Sequence, residues 1–443
     1  MASAAEQLAA NMSLGAFSKA TELHKRLWFT LGALVIYRLG TYIPVPGIDA
    51  TVMASLMTKA GGGLIGMFDM FSGGALRRMT VFALAIMPYI TASIIMQLMA
   101  SAVPALETLK KEGESGRIKI NQYTRYLTVL IATVQAYGVA LGLETQTGVV
   151  LNPGLFFVVT CVVTLVGGTV FLMWIGEQIT ARGVGNGSSL IIFAGIVANL
   201  PTALASILEL GRTGGISGGV ILMFAVAAAA VIAFVVFMES AQRRVLVQYP
   251  KRQVGNKVYG GDSTHMPLKV NVSGVIPPIF ASSMLLIPAA IFKFGAARGM
   301  NWMTPFSNAL SRGHLAYLVL YGVLITFFTF FYTAVAFNPQ ETAENLKKNG
   351  GFIPGIRPGS ATADYFDYVL SRLSLVAAGY LTIVVLLPEM LMSKYGTTFY
   401  FGGTSLMIMV SVTMDTVTQV QSHLLAHQYE GLIRKNRGKG RLK

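Results

Sequence analysis

The apolar residues of this chain are gathered into ten long runs, separated by segments that contain most of the polar residues. A helix needs roughly 20 apolar residues to cross the hydrocarbon core of a bilayer, and each run approaches that length. The pattern therefore predicts ten membrane-spanning helices. They cover residues 27–43, 79–103, 126–143, 155–175, 189–208, 219–238, 270–292, 315–337, 373–391 and 399–420.

Composition and charge support this prediction. Of the 443 residues, 53% are hydrophobic and only 12% are charged, whereas soluble domains contain about 25% charged residues. Lys and Arg favour the cytoplasmic side of a membrane. If the N-terminus is cytoplasmic, 25 of the 34 Lys and Arg residues fall in segments on that side. We therefore expect both termini in the cytoplasm, and topology alone is one explanation of the net charge of +15.

One long cytoplasmic loop, residues 240–269, alternates apolar side chains at Val245, Val247 and Tyr249. This spacing favours a β-hairpin. The hairpin would carry a basic face, although a solvated loop without a function is the alternative. The basic residues are Arg243, Arg244, Lys251, Arg252 and Lys257.

A second long loop, residues 338–372, begins with a short polar helix that we expect to end at Gly350 and Gly351. It continues as "FIPGIRPG", in which two prolines restrict the backbone on either side of Arg357. Long loops of this kind are more often functional than not.

The spans contain no ionisable residue at mid-membrane, where a coupled transporter binds its ion. Five charged residues in or beside the spans all fall near span ends, namely Arg38, Glu177, Glu239, Lys293 and Asp415. The sequence also contains no GxxxxGK[ST], HExxH or GxSxG motif. We therefore expect no enzyme activity, no cofactor and no metal, and a partner must supply any work. A facilitative small-solute channel and an intramembrane enzyme are the alternatives, but neither a polar binding site nor a catalytic constellation is found.

Several spans are interrupted by proline, which frees backbone groups and is tolerated beside a cavity. These residues are Pro88, Pro201, Pro277, Pro278 and Pro288. Bundle packing explains any one of them, but together they favour a cavity.

The stretch "GGGLIGMFDMFSGGALRR", residues 61–78, lies between the first two runs and is half apolar. It is too short and too rich in glycine to cross a bilayer. From its residues alone, an amphipathic helix on the outer membrane surface is the favoured structure.

Seven stretches identify a family. They are "MFDMFSGGALRR", "FALAIMPYITASIIMQLM", "KKEGESGR", "GEQITARGVGNGSSLIIFAGIV", "STHMPLKVNVSGVIPPIFASS", "FNPQETAENLKKNGGFIPGIRPG" and "FYFGGTSLMI". In this order they resemble the SecY family, whose members form the channel of the bacterial protein translocon. The resemblance implies a channel that passes unfolded secretory polypeptides across the bacterial inner membrane and releases transmembrane segments sideways into lipid.

The resemblance also implies an all-α polytopic fold with ten transmembrane helices in two pseudo-symmetric five-helix halves. Repeats of inverted topology usually place the pathway at their interface. The expected divisions are a cytoplasmic segment at 1–22, halves at 23–208 and 209–425, and a basic tail at 426–443.

At the waist of the channel, the resemblance implies a ring of bulky apolar side chains. Such a ring gives ions no ligands and gives a passing chain no charge to bind. This sequence departs from the family by a serine in the ring and by Ala85, where glycine is common. We expect the serine hydroxyl to favour wetting, so that the seal depends more on a plug. The ring positions are Ile86, Ile90, Ser188, Ile192, Ile279 and Ile408.

By the same resemblance, residues 61–78 are that plug, a short helix resting in the outer funnel, with glycines 61–63 and the pair Gly73 and Gly74 as flexible joints. Its apolar residues are Leu64, Ile65, Met67, Phe68, Met70 and Phe71. The lateral gate is expected to contain Thr91, Gln97, Asn271 and Ser282. For Gln97 and Asn271, ordinary hydrogen bonding between helices is an equal alternative.

The resemblance further implies that the two cytoplasmic loops dock the ribosome and the SecA ATPase. Arg357 is the residue most strongly implicated, whereas the hairpin match is looser because Asn256 and Lys257 stand where relatives can carry an arginine pair. Other implied partners are the SecE and SecG subunits, signal peptides, nascent chains and membrane lipid. SecDF and YidC are further candidates.

Overall fold

The structure is a computed structural model, and the regular elements of its described residues are helices apart from two small two-stranded β-sheets. It describes residues 21–49, 52–53, 55, 69, 71–144, 146, 148–213, 218–250, 252–254, 257–259, 263–297, 300–310, 314–395 and 403–439. The helices of the first part are α1 (Thr21–Gly40), α2 (Met87–Ala102), α3 (Pro104–Lys111), α4 (Glu114–Glu144), α5 (Leu155–Arg182), α6 (Gly187–Arg212) and α7 (Gly218–Ser240). Four strands follow, β1 (Gln242–Gln248), β2 (Arg252–Val254), β3 (Lys257–Tyr259) and β4 (Ser263–Lys269). The remaining helices are α8 (Ile276–Ala297), α9 (Thr304–Ala309), α10 (Leu315–Ala336), α11 (Pro339–Lys348), α12 (Ser360–Tyr395) and α13 (Gly403–Lys439).

Every predicted span overlaps one of these helices. Within the described residues, six helical stretches are long and apolar enough to cross a membrane. The number is seven if α2 and α3, which meet at a bend of 97°, form one broken span. The polytopic helical fold is therefore confirmed, while the total of ten spans stays a prediction.

The start of the second predicted span, residues 79–103, is wrong. Residues 79 and 81–86 form turns, with an isolated bridge at Thr80, and α2 begins only at Met87. Met79 and Ala85 have positive φ values of 44° and 50°, which a right-handed helix cannot contain. Pro88 then lies in the first turn of α2, where its missing N–H costs nothing.

The last helix also differs from its prediction, since α13 runs to Lys439 and includes most of the predicted basic tail. The chain divides into two compact units, and α13 contributes to both. One unit contains Met1–Gly61, Ile65–Pro201 and Val412–Lys443, and the other contains Gly62–Leu64 and Thr202–Ser411. The expected division into pseudo-symmetric halves at 23–208 and 209–425 stays a prediction.

Within the first unit, the loop between α5 and α6 is held by two distant helices. The N–H of Val184 donates to Thr30 Oγ1 of α1 at 3.1 Å. The N–H of Gly185 donates to Gln419 Oε1 of α13 at 2.8 Å. Val184 also packs with Leu23, and around them lie Leu27, Val420 and Leu424. Helix α13 therefore contributes to the packing around α1, the first described helix.

Within the second unit, the two long loops form one folded body. The predicted hairpin is confirmed, because β1 and β4 pair in antiparallel register from Gln242 opposite Lys269 to Gln248 opposite Ser263. The predicted polar helix is α11, whose first turn donates two N–H groups to the side chain of Asn338. Gln248 and Phe352 exchange backbone hydrogen bonds, each 2.9 Å long. We call residues 242–248, 263–269 and 338–372 the loop body.

The loop body has its own apolar core. Val245 and Leu268 come from the hairpin, Ile353 comes from the "FIPG" stretch, and Phe366 and Val369 come from the start of α12. All five are buried. The alternation read from the sequence therefore places Val245 in this core and buries Val247 on the same face of β1, because strand side chains point to opposite faces in turn.

Candidate functional site

The first two ring candidates lie at the start of α2. Ile86 is the residue before the helix, and only 1% of it is exposed. The N–H of Ile90 donates to the carbonyl of Ile86 at 3.1 Å. The two side chains therefore sit one turn apart, although Ile86 belongs to the strained turn that contains Ala85 rather than to the helix.

Ser188 and Ile192 lie in the first turns of α6. Asn186 Oδ1 accepts from the N–H of Ser188 at 3.1 Å and from its hydroxyl at 2.7 Å. The side chain of Asn186 thus caps the start of α6 and also accepts from the Ser188 hydroxyl, while Ile192 is buried. A methyl group built on Gly176 of α5 would lie 3.4 Å from Ile86 Cδ1 and 3.5 Å from Ser188 N. The absence of a side chain at Gly176 therefore leaves room for Ile86 and for the backbone of Ser188 to pack against α5.

In the second unit, Ile279 and Ile408 occupy the first turns of α8 and α13, and both are buried. Tyr321 of α10 holds these two helix starts. Its hydroxyl lies 3.4 Å from the carbonyl of Pro278 and 3.3 Å from Thr404 Oγ1. One fully buried phenol therefore positions both ring candidates of this unit.

Each lateral-gate candidate bonds within its own unit. Thr91 Oγ1 donates to the carbonyl of Met87, and Gln97 Nε2 donates to Ser93 Oγ, both within α2. Ser282 Oγ donates to the carbonyl of Ile279 in α8. Asn271 Nδ2 donates to Glu239 Oε1 at 2.6 Å.

Of the plug candidates, Phe71, Gly73 and Gly74 are described and buried, whereas Leu64, Ile65, Met67, Phe68 and Met70 lie outside the described residues. Gly73 and Gly74 have φ values of 67° and 84°, which favour glycine. A methyl group on Gly73 would lie 3.1 Å from the Cα of Gly195 in α6. The glycine pair is therefore packed closely against α6.

A carboxylate organises the same turn. Asp69 Oδ1 accepts the N–H of Arg77 at 2.7 Å, and the Asp69 carbonyl accepts the N–H of Gly74 at 2.8 Å. Burial raises the pKa of the Asp69 carboxyl above its ordinary value, and the Arg77 N–H opposes that rise. The carboxylate thus closes the turn around the glycine pair.

Comparison with known proteins decides the family. The SecY family model matches residues 80–417. The protein translocase subunit SecY of Rickettsia typhi is 55% identical over 425 residues, covering 95% of this chain and 98% of that protein. SecY of Escherichia coli K12 is 55% identical over 423 residues, covering 95% and 96%. The chain belongs to the SecY family.

Solved structures agree on the fold. The structure of a protein-conducting channel matches with a TM-score of 0.66 at 18% identity, covering 90% of this chain and 92% of that one. Sec61 in the canine ribosome-channel complex matches with a TM-score of 0.60 at 17% identity, with the same coverage. The protein is accordingly a multi-pass bacterial membrane protein of the Sec translocon, and it is a protein-conducting channel subunit rather than an enzyme.

The loop body displays the described docking candidates of this SecY family member. Arg243 and Arg244 are exposed on β1, next to the buried Val245. Arg357 is exposed, and its carbonyl accepts from Thr362 Oγ1 at 2.9 Å. Lys251 and the side chains of Arg252 and Lys257 lie outside the described part of the chain.

Two positioning features of the SecY fold were not predicted. Tyr321 carried only the weak signal of a tyrosine inside an apolar run. Arg125 of α4 and Glu177 of α5 form a two-pronged ion pair, with N···O distances of 2.9 and 2.8 Å. The opposite charges near the ends of neighbouring spans were the available signal, but their pairing depends on how α4 and α5 pack.

Proposed function

We propose that unfolded secretory polypeptides pass a constriction formed by the six ring candidates, and that transmembrane segments leave through a gate containing Thr91, Gln97, Asn271 and Ser282. One observation carries the ring proposal. Many large apolar residues of the spans are exposed, among them Val163 at 66%, whereas Ile86, Ile192, Ile279 and Ile408 are all at most 8% exposed. Lipid-facing isoleucines would instead be exposed.

Cross-linking tests the path. A photoreactive amino acid is placed at position 86 or 279 and a secretory chain is stalled during translocation. We expect links to the stalled chain from both positions and none from position 163, which is the matched apolar control. Links from 163 but from neither isoleucine would overturn the assignment.

We infer that the loop body receives the partner that supplies the work, either the SecA ATPase or the ribosome. Guanidinium groups bind carboxylates and phosphates in two-pronged geometry, which suits an acidic protein surface as well as rRNA. Ile353 anchors the loop that presents Arg357, so the charge stands on a fixed support. SecE and SecG are the expected membrane subunits, with SecDF and YidC as further candidates.

Reversing one charge tests this docking. Arg357→Glu should abolish SecA-driven translocation while the protein remains inserted, because only the presented charge changes. Inverted membrane vesicles provide the assay, and Arg372→Glu, whose guanidinium stacks on Tyr368, is the control for a charge change in the same helix-loop region. Normal secretion by the Arg357 variant would refute the proposal.

A further inference from the structure

The glycine pair at the end of the plug segment is held by cations through its carbonyl groups. Arg38 Nη1 donates to the carbonyl of Gly73 at 2.8 Å. Arg78 donates from Nε to the carbonyl of Gly74 at 3.1 Å and from Nη2 to that of Gly73 at 3.3 Å. Hydrogen bonds from charged donors are stronger than neutral ones. Both carbonyls therefore have charged partners.

Tyr42 holds the two arginines together. The guanidinium of Arg78 lies 4.0 Å from the centre of the Tyr42 ring, and that of Arg38 lies 5.0 Å from it. Arg38 Nη2 also donates to the Tyr42 hydroxyl at 3.0 Å. Cation–π attraction offsets the repulsion between like charges. We call Arg38, Tyr42 and Arg78 the arginine cluster.

The segment next to the cluster is fixed on its other sides as well. The hydroxyl of Tyr37, which is fully buried in α1, donates to the carbonyl of Ser72 at 3.2 Å. Further along, the N–H of Val45 donates to the carbonyl of Met79 at 3.0 Å. The carbonyl groups of residues 72, 73 and 74 thus all accept hydrogen bonds from side chains, which restrains the backbone of this segment.

We propose that the arginine cluster consists of positioning residues that make Gly73 and Gly74 a fixed anchor instead of the flexible joint expected from the sequence. The positive φ values and the approach to Gly195 explain why glycine is needed without invoking motion. This inference rests on the proposed role of residues 61–78 as a plug. The cluster would then set how well the resting channel is sealed.

Basal ion conductance in planar bilayers, measured on the assembled complex, tests the proposal. Arg38→Gln and Arg78→Gln should each raise the leak about tenfold, because each removes charged hydrogen bonds to a buried carbonyl. Arg77→Gln is the matched control, since it makes the same charge change one residue away, where the bond to Asp69 comes from the backbone. An equal leak in all three variants would mean that charge alone matters, which would overturn the proposal.

A neutral substitution tests the same anchor without changing charge. A methyl group at Gly195 would lie 2.7 Å from the carbonyl oxygen of Phe71 and 3.1 Å from the Tyr37 hydroxyl, so Gly195→Ala should displace the anchor and raise the leak. Gly167→Ala is its control, because nothing lies within 4 Å of that position. Unchanged leak in Gly195→Ala would count against the anchor.

Labelling gives a readout that does not depend on the plug. Ala75 is fully buried beside the anchor, so a cysteine is introduced there by Ala75→Cys. The natural Cys161 is also buried, and labelling of the unsubstituted protein gives the background rate. A water-soluble maleimide should label position 75 slowly, and about tenfold faster when Arg38→Gln is added, by the same lost bonds. No acceleration would refute the anchor. Separately, unchanged leak after deletion of residues 64–71 would refute the plug alone.

Discussion

Among the described residues, only Met79 and Ala85 combine a side chain with a positive φ. For an L-residue the left-handed conformation costs about 1–2 kcal/mol, so both positions store strain. Ala85 lies directly before Ile86. The strain therefore sits beside a ring candidate, where a change in the turn would move the side chain of Ile86.

We predict that Ala85→Gly stabilises the protein by about 1 kcal/mol, because glycine adopts this conformation freely. The measurement is thermal unfolding of the purified complex in detergent. Ala83→Gly is the control, since Ala83 is buried in the same run of turns without a positive φ, and it should be destabilising. A loss of stability in both variants would show that Ala85 is not strained.

Ser188 makes a second prediction at this scale. Ser188→Ile should lower basal ion leak, because it removes a hydroxyl from the apolar ring. The structure adds that this hydroxyl is bonded to Asn186 Oδ1, so Ser188→Ala separates loss of polarity from gain of bulk. We expect the leak to fall in the order Ser, Ala, Ile. A leak unchanged in the isoleucine variant would contradict the expectation about the ring.

Among the elements, the loop body depends on burial of alternate residues in β1. Val245 is 4% exposed, whereas its neighbour Leu246 is 36% exposed. Because Val245 contacts the core that supports Ile353, hairpin stability and presentation of Arg357 are linked. The two long loops are therefore one structural unit, although their starts at residues 240 and 338 lie 98 positions apart in a sequence that gives no sign of their contact.

We predict that Val245→Ala lowers the stability of the loop body by about 2 kcal/mol, as expected for removing buried methyl groups. Amide hydrogen exchange in β1 should become faster, and SecA-driven translocation should fall several-fold. Leu246→Ala, one residue away and on the other face, should change neither. Equal effects of the two substitutions would mean that the hairpin does not pack as described.

The sequence was sufficient for features that depend on local composition. The positions of the long apolar helices followed from apolar length, apart from the start of α2, and the hairpin followed from the spacing of Val245 and Val247. The start of α2 was missed because the positive φ at Ala85 does not change the hydrophobic pattern of the sequence. The arginine cluster was missed because Arg38 and Arg78 lie 40 positions apart, and only the approach of α1 to the anchor brings them together. The ring assignment came from family resemblance and not from spacing.

At the scale of the whole molecule, the described chain leaves much apolar surface uncovered. On α7 alone, Leu222, Val226 and Phe237 are each more than 60% exposed. Lipid covers such residues well, but so do helices of other subunits. The fold of the single chain is thus compatible with assembly through its membrane-facing surface.

We predict that co-expression with SecE-like and SecG-like subunits raises the stability of the chain in detergent, because a partner that binds only the folded state stabilises it. The gain is about 2.7 kcal/mol at a partner concentration of 100 times Kd. Co-purification and thermal unfolding measure it, and Arg357→Glu should not alter it, since that change lies in the loop body and not on a predicted span. A chain that is equally stable alone would contradict the prediction.

Because part of α13 packs in the first unit, that unit can be completed only near the end of synthesis. Its residues from Val412 onward belong to the unit that is otherwise built from residues before Thr202. During synthesis, more than 200 residues are therefore added after Val184 and Gly185 before Gln419, Val420 and Leu424, which contact this loop in the folded unit. The unit whose synthesis begins first is finished last, so a chain truncated after Ser411 would keep the contacts of the α5–α6 loop with α1 but lose its contacts with Gln419, Val420 and Leu424 of α13.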